Sequence, residues 1–191
     1  MHTTTPDADL LFKIMRDMID DNVEYLVIEI TSHSLIQKRV HGINLIAAAV
    51  TNITPEHLDA HGSYEQLVKD KALIFNMSQS IFLNPAGLGF EEVKKYFPLN
   101  IHLVEVDVKK ECAVLDNEFS KKYPGEYNLQ NASLAIAIGK YLGLSEAEIL
   151  NGIKNTNPPV GRFQRIENNK GINLIVDFAH TEKLPLDYLI L

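Results

Sequence analysis

The apolar run Leu45 to Val50 (LIAAAV) stops abruptly at Thr51-Asn52, and Thr54-Pro55 follows at once. A short apolar run bounded in this way reads as a buried strand that ends at the start of a helix. In open α/β sheets the carboxyl ends of the strands are where ligands are held, so the residues just past Val50 constrain both fold and chemistry. Glu56, His57, Asp59 and His61 fall there, and the helix that follows carries Lys69, Asp70 and Lys71 back past them. Carboxylates beside an imidazole suit a hard divalent cation with one nitrogen ligand; the acidic residues equally suit helix N-terminal charges that offset the dipole. Lys71 has Leu67, Ala72, Ile74 and Phe75 around it. An amine desolvated by such neighbours is pushed towards its neutral form, which is the form that reacts.

The remaining sequence continues the alternation of helices and strands. Leu10, Leu11, Ile14, Met15 and Met18 recur at helical spacing after a turn-like start, and EYLVIEI (Glu24 to Ile30) reads as a strand ending in the polar cluster Glu29 to Ser34. Hydroxyls before a helix are ordinary caps, and a glutamate at a strand end is an ordinary partner for a lysine. QSIFLN, IHLVEV and ECAVLD read as short strands, with a helix from about Phe90 to Tyr96 and a long one in NASLAIAIGKYLG. Alternation in ECAVLD makes the lone cysteine, Cys112, a buried strand position with no disulfide partner. The 191 residues are 46% hydrophobic, enough for a globular α/β core. A net charge of −7 with no basic run argues against nucleic acid or an anionic membrane as partner. There is no signal-peptide segment and no run long enough to span a bilayer, so a cytoplasmic protein is expected.

The order TN, EHLD, HG and then a lysine followed by ALIF resembles the central domain of the Mur ligases. The usual form there is TNxxxDHLDxHG with a lysine nine residues beyond the glycine, which is the spacing of Gly62 and Lys71; Glu56 stands where the family has aspartate. The resemblance implies use of ATP and Mg2+, with Lys71 reacting with carbon dioxide to give a carbamate that shares magnesium with His57. Glu29-Ile30-Thr31-Ser32-His33, followed by Gln37, Arg39 and Val40, is similar to the ExSSH and QxRV pattern of the MurE type, and Thr4-Thr5-Pro6 to its TTP motif. By that likeness Glu29, His57 and Lys71 form the catalytic and metal-holding set, while Thr4, Thr5, Thr31, Gln37 and Arg39 contact a UDP-N-acetylmuramoyl-peptide. Asn131 of the NxxNxxA element would meet adenine, Arg162 of GRFQRI the phosphates and Asp177 the ribose, with His180 in the same nucleotide pocket. An asparagine near a helix start is otherwise commonly bonded to backbone. Gln164 and Phe178 stand where the family has glutamate and tyrosine.

The implied fold is an α/β Mur ligase central domain over residues 1–156, its mostly parallel sheet flanked by helices. The start of a C-terminal Rossmann-like domain follows over 157–191, with Asn155 to Pro159 (NTNPP) as linker. The implied activity is ATP-dependent addition of the third amino acid to UDP-N-acetylmuramoyl-L-alanyl-D-glutamate in peptidoglycan synthesis, by a full-length enzyme that is a monomer. Folylpolyglutamate- and cyanophycin-synthetase-like ligases share the lysine and histidine, and a non-catalytic domain of the same fold is a third reading. No GxxxxGK[ST] phosphate loop occurs, and Gly139-Lys140-Tyr141 sits mid-helix. The chain therefore reads as an internal piece, inactive alone, that lacks the region selecting the amino acid.

Overall fold

The computed structural model describes residues 4–56 and 58–177. They belong to two compact units, Met1–Val108 and Lys109–Leu191.

In the first unit α1 (Ala8–Asp20) buries Leu11, and α2 (Ser32–Ile36) starts at Thr31, whose hydroxyl accepts from Ser34 N at 3.2 Å. The strand β1 (Leu45–Val50) leads to the single turn α3 (Leu58–His61) and then to α4 (Tyr64–Ala72). Ser63 caps α4, accepting from Gln66 N at 3.1 Å. A 3-10 turn, Leu73–Met77, carries α4 into β2 (Ser78–Leu83); α5 (Phe90–Val93) with its 3-10 extension Lys94–Tyr96 precedes β3 (His102–Glu105). The three strands pair in parallel in the order β1-β2-β3, with Ala48 opposite Ile81 and Ile81 opposite Leu103. Ile81, Phe82 and Leu83 are each no more than 2% exposed, as a central parallel strand covered on both faces requires. Leu67, Val68 and Phe75 from α4 and its continuation close the core on one side.

Two expectations are corrected. Glu24 to Ile30 is extended but is not a strand: the amides of residues 24–30 find no backbone partner among the described residues. Ile28 and Ile30 still pack on the core, so the side-chain pattern that suggested a strand is present while the ladder is not. ECAVLD is helical, forming the end of α6 (Val108–Glu111) and the 3-10 turn Cys112–Val114. A short apolar alternation does not separate a strand from a turn of helix. Cys112 is half-buried and its thiol donates to Leu129 O at 3.3 Å; burial, and then Glu111, push the thiol pKa up, away from a reactive thiolate.

The second unit consists of α7 (Asn117–Lys122), α8 (Glu126–Tyr141), α9 (Glu146–Asn155) and an antiparallel pair, β4 (Gln164–Ile166) with β5 (Leu174–Val176). Asp116 caps α7, and Ser145 with Glu148 forms a capping box on α9. Ile136, Leu134 and Ile149 are its buried apolar centre, and NTNPP lies inside this unit, between α9 and β4. Among the described residues no helix is long and apolar enough to cross a membrane.

The loops past the strand tips are pressed together at one glycine. Gly89 has φ +82°, and a Cβ there would stand 2.6 Å from Ile53 Cβ. Its absence lets the loop after β2 lie against the loop after β1, where Ile53 N donates to Leu88 O at 2.8 Å and Tyr64 Oη to Ile53 O at 3.0 Å.

Candidate functional site

The segment before α1 holds the segment before α2. Thr5, 1% exposed, donates its hydroxyl to Glu29 O at 2.9 Å and accepts from Thr31 N at 3.2 Å. Arg39 Nη1 donates to Thr5 O at 3.0 Å and stands 3.3 Å from an Asp7 carboxylate oxygen. One hydroxyl thus serves both backbone groups that flank Ile30, on an otherwise unpaired stretch. Thr5→Val keeps the shape and removes both bonds, leaving a part-buried carbonyl and amide unsatisfied; it should lower stability by about 1–3 kcal/mol, read by urea unfolding.

This clamp gives the proposed ligand residues a defined backbone. Glu29 is exposed, and its carboxylate takes no hydrogen bond or ion pair among the described residues. Lys71, near the end of α4, is half-buried and likewise makes no side-chain bond or ion pair among them, whereas its neighbour Lys69 is paired with Glu65 at 2.9 Å. Thr4 and Gln37 are exposed, Thr31 is the α2 cap, and Arg39 faces the Thr5-Asp7 turn. His57 lies outside the described residues, and among those described no three histidine, cysteine or acidic side chains gather closely enough to hold a metal. The donor set nevertheless fits a hard cation: a carboxylate with no internal partner, and an amine that carbamylation would turn into a second oxygen donor.

Sequence reasoning passed over a buried chain beside these groups. Ser32 Oγ lies 3.0 Å from His61 Nε2, His61 Nδ1 lies 2.6 Å from Asp70 Oδ2, and Gln66 Nε2 donates to Asp70 Oδ1 at 2.8 Å. The His33 ring meets His61 edge-on, centroids 5.1 Å apart. His61 and Asp70 already stand out in the sequence as polar residues at a strand tip, and their separation of nine positions is the only local hint that they meet.

In the second unit Asn131 is exposed in the second turn of α8 and its side chain makes no hydrogen bond among the described residues; the Asn128 side chain is the one bonded to backbone, Nδ2 to Pro124 O at 2.8 Å. Asp177 Oδ2 accepts from Phe163 N at 2.6 Å, holding a residue with φ +47° just after the exposed Arg162. Gln164 Oε1 accepts from Gly161 N at 3.0 Å, so the residue in the glutamate position braces the same loop. A cleft of about 280 Å³ beside it is lined by Lys121, Lys122, Pro158, Phe163 and Arg165, among others. His180 lies outside the described residues.

Residues 1–87 match the family model described as the Mur ligase middle domain. This stretch belongs to the Mur ligase middle-domain family. Curated relatives of the chain include "UDP-N-acetylmuramoyl-L-alanyl-D-glutamate--2,6-diaminopimelate ligase" of Clostridium botulinum, 30% identical over 94% of this chain and 41% of that protein. The proteins of the same name from Clostridium tetani (31%; 93% of this chain, 41% of that one) and Bacteroides thetaiotaomicron (28%; 93% and 40%) are similar to it as well. The chain thus spans about two fifths of the length of these relatives. Its parallel sheet with flanking helices agrees with the α/β fold expected for that middle domain.

Proposed function

We propose that the chain is part of an ATP-dependent ligase that joins an amino acid, 2,6-diaminopimelate by analogy with the relatives' names, to UDP-N-acetylmuramoyl-L-alanyl-D-glutamate. The observation that carries this reading is the agreement of similarly named ligases over 93–94% of the chain. In such a reaction a carboxylate is phosphorylated and an amine then attacks the acyl phosphate, with negative charge building on phosphoryl oxygens in both steps. Cationic and metal-held groups therefore matter more than a protein nucleophile. Magnesium, when bound, supplies neutralisation of that charge; Glu29, His57 and carbamylated Lys71 are the residues proposed to hold it.

The other residues divide between two substrates. Thr31, Gln37 and Arg39, with Thr4 and Thr5 behind them, form the proposed face for the muramoyl-peptide, and Arg39 offers a planar fork suited to a carboxylate or phosphate. Asn131, Arg162, Asp177 and His180 form the proposed nucleotide edge, supported by the unbonded Asn131 amide. We place the division between the central and C-terminal domains at 156/157, a full-length monomer in the cytoplasm completing the picture.

Titration of the folded chain with UDP-N-acetylmuramoyl-dipeptide, and in parallel with folate, tests the substrate class. Binding of the first and not the second is expected. Arg39→Ala should weaken it by about 1.5–3 kcal/mol, roughly 10- to 100-fold, in protein shown to be folded. Binding of folate alone, or of neither, sinks the muramoyl-peptide reading.

A further inference from the structure

The buried chain of Ser32, His61 and Asp70 has no role in the reading above, yet each member lies within four residues of a proposed metal-holding residue in the sequence. Ser32 is three residues after Glu29, His61 four after His57, and Asp70 immediately before Lys71. The three come from separate elements: the first turn of α2, the last residue of α3 and the interior of α4. We infer that His61 is a positioning residue for this metal site, tying the three segments that carry Glu29, His57 and Lys71 to one another through Ser32 and Asp70. The inference rests on the metal reading given above.

The geometry gives the tie its strength. A carboxylate only accepts, so the 2.6 Å contact puts a hydrogen on His61 Nδ1, and the ring is fixed with Nε2 towards Ser32 Oγ at 3.0 Å. Gln66 occupies the second oxygen of Asp70 at 2.8 Å, so the carboxylate cannot turn away without losing a further bond. Ser32, His61 and Asp70 are 5%, 6% and 7% exposed, which keeps water from competing for these bonds. The same burial argues against a hydrolytic serine–histidine–aspartate centre, because no acyl group reaches a serine oxygen covered in this way. Partners behind metal ligands commonly govern affinity by about 10- to 100-fold, through ligand orientation and basicity together.

The test uses the 191-residue chain with bicarbonate present and Mn2+ as probe, binding followed by electron paramagnetic resonance and the folding midpoint recorded for each variant. The wild type should bind Mn2+, and Glu29→Ala should abolish binding. Asp70→Asn and Ser32→Ala should weaken it by about 10- to 100-fold at a temperature where both are folded, and Ser32→Thr, which keeps the hydroxyl, should restore affinity to within a few-fold. Should either of the first two fail to fold, Gln66→Ala, at an exposed position, removes only the outermost bond and should still weaken Mn2+ several-fold. If Glu29→Ala abolishes binding while the chain variants bind like the wild type, or lose affinity only in step with their folded fraction, the network is packing and the inference fails while the metal reading stands. If the wild type binds no Mn2+, or Glu29→Ala binds as well as wild type, the metal reading fails and takes the inference with it.

Discussion

Phe75→Ala should lower the stability of the first unit by about 4 kcal/mol, a large part of the 5–15 kcal/mol that holds a typical domain folded. Phe75 is 1% exposed and meets Phe97 edge-to-face with ring centroids 5.0 Å apart, so truncation loses burial, leaves a cavity and removes an aromatic pair. Its position adds a second effect. It lies in the 3-10 turn Leu73–Met77 that joins α4 to β2, so its anchoring also sets how α4, with Asp70 and Lys71, enters the central strand. Urea unfolding should show the lower midpoint, and Phe75→Leu should recover most of it by keeping the apolar volume. A loss below about 1 kcal/mol would mean that the site collapses around the missing ring.

The other large effect is all or none. After loading with 13C-bicarbonate, the protein should show one carbamate carbon resonance, and Lys71→Ala should remove it completely. Lys71 is half-buried and unpaired among the described residues, which sets it apart from Lys69 three-tenths of a nanometre from Glu65. An amine already committed to a carboxylate is a poor nucleophile towards carbon dioxide; one with no such partner is free to attack it. Where ligase turnover is measured, the same substitution should abolish it, with partial rescue by an added short carboxylic acid. A carbamate signal that persists in Lys71→Ala, or normal turnover by that variant, would remove Lys71 from the proposed site.

The sheet was readable in the sequence because LIAAAV has no polar residue and QSIFLN carries the apolar run Ile81 to Leu83, which lies in the central strand and is buried on both faces. Glu24 to Ile30 looks the same by that criterion and is not a strand, since a ladder depends on a neighbouring backbone that no local pattern encodes. The spacing of His57, Gly62 and Lys71 was equally plain. What sequence could not supply was direction. The motif puts Thr5 with the substrate-contacting residues, whereas its hydroxyl lies inside, between Glu29 O and Thr31 N. Ser32 and His61, 29 residues apart, meet only because α2 and α3 both pack beside α4.

Residues 24–30 divide the first unit by how readily its amides meet solvent. Ile28 and Ile30 are held on the core while Tyr25 and Val27 are 56% and 97% exposed, and among the described residues no backbone acceptor covers the amides between them. Deuterium would enter this stretch almost as fast as it enters a loop, while β2, paired on both sides, would wait for the whole unit to open. The peptide that carries Glu29 thus keeps its shape through the Thr5 hydroxyl and the packing of Ile28 and Ile30, so losing those contacts would release it without opening the sheet.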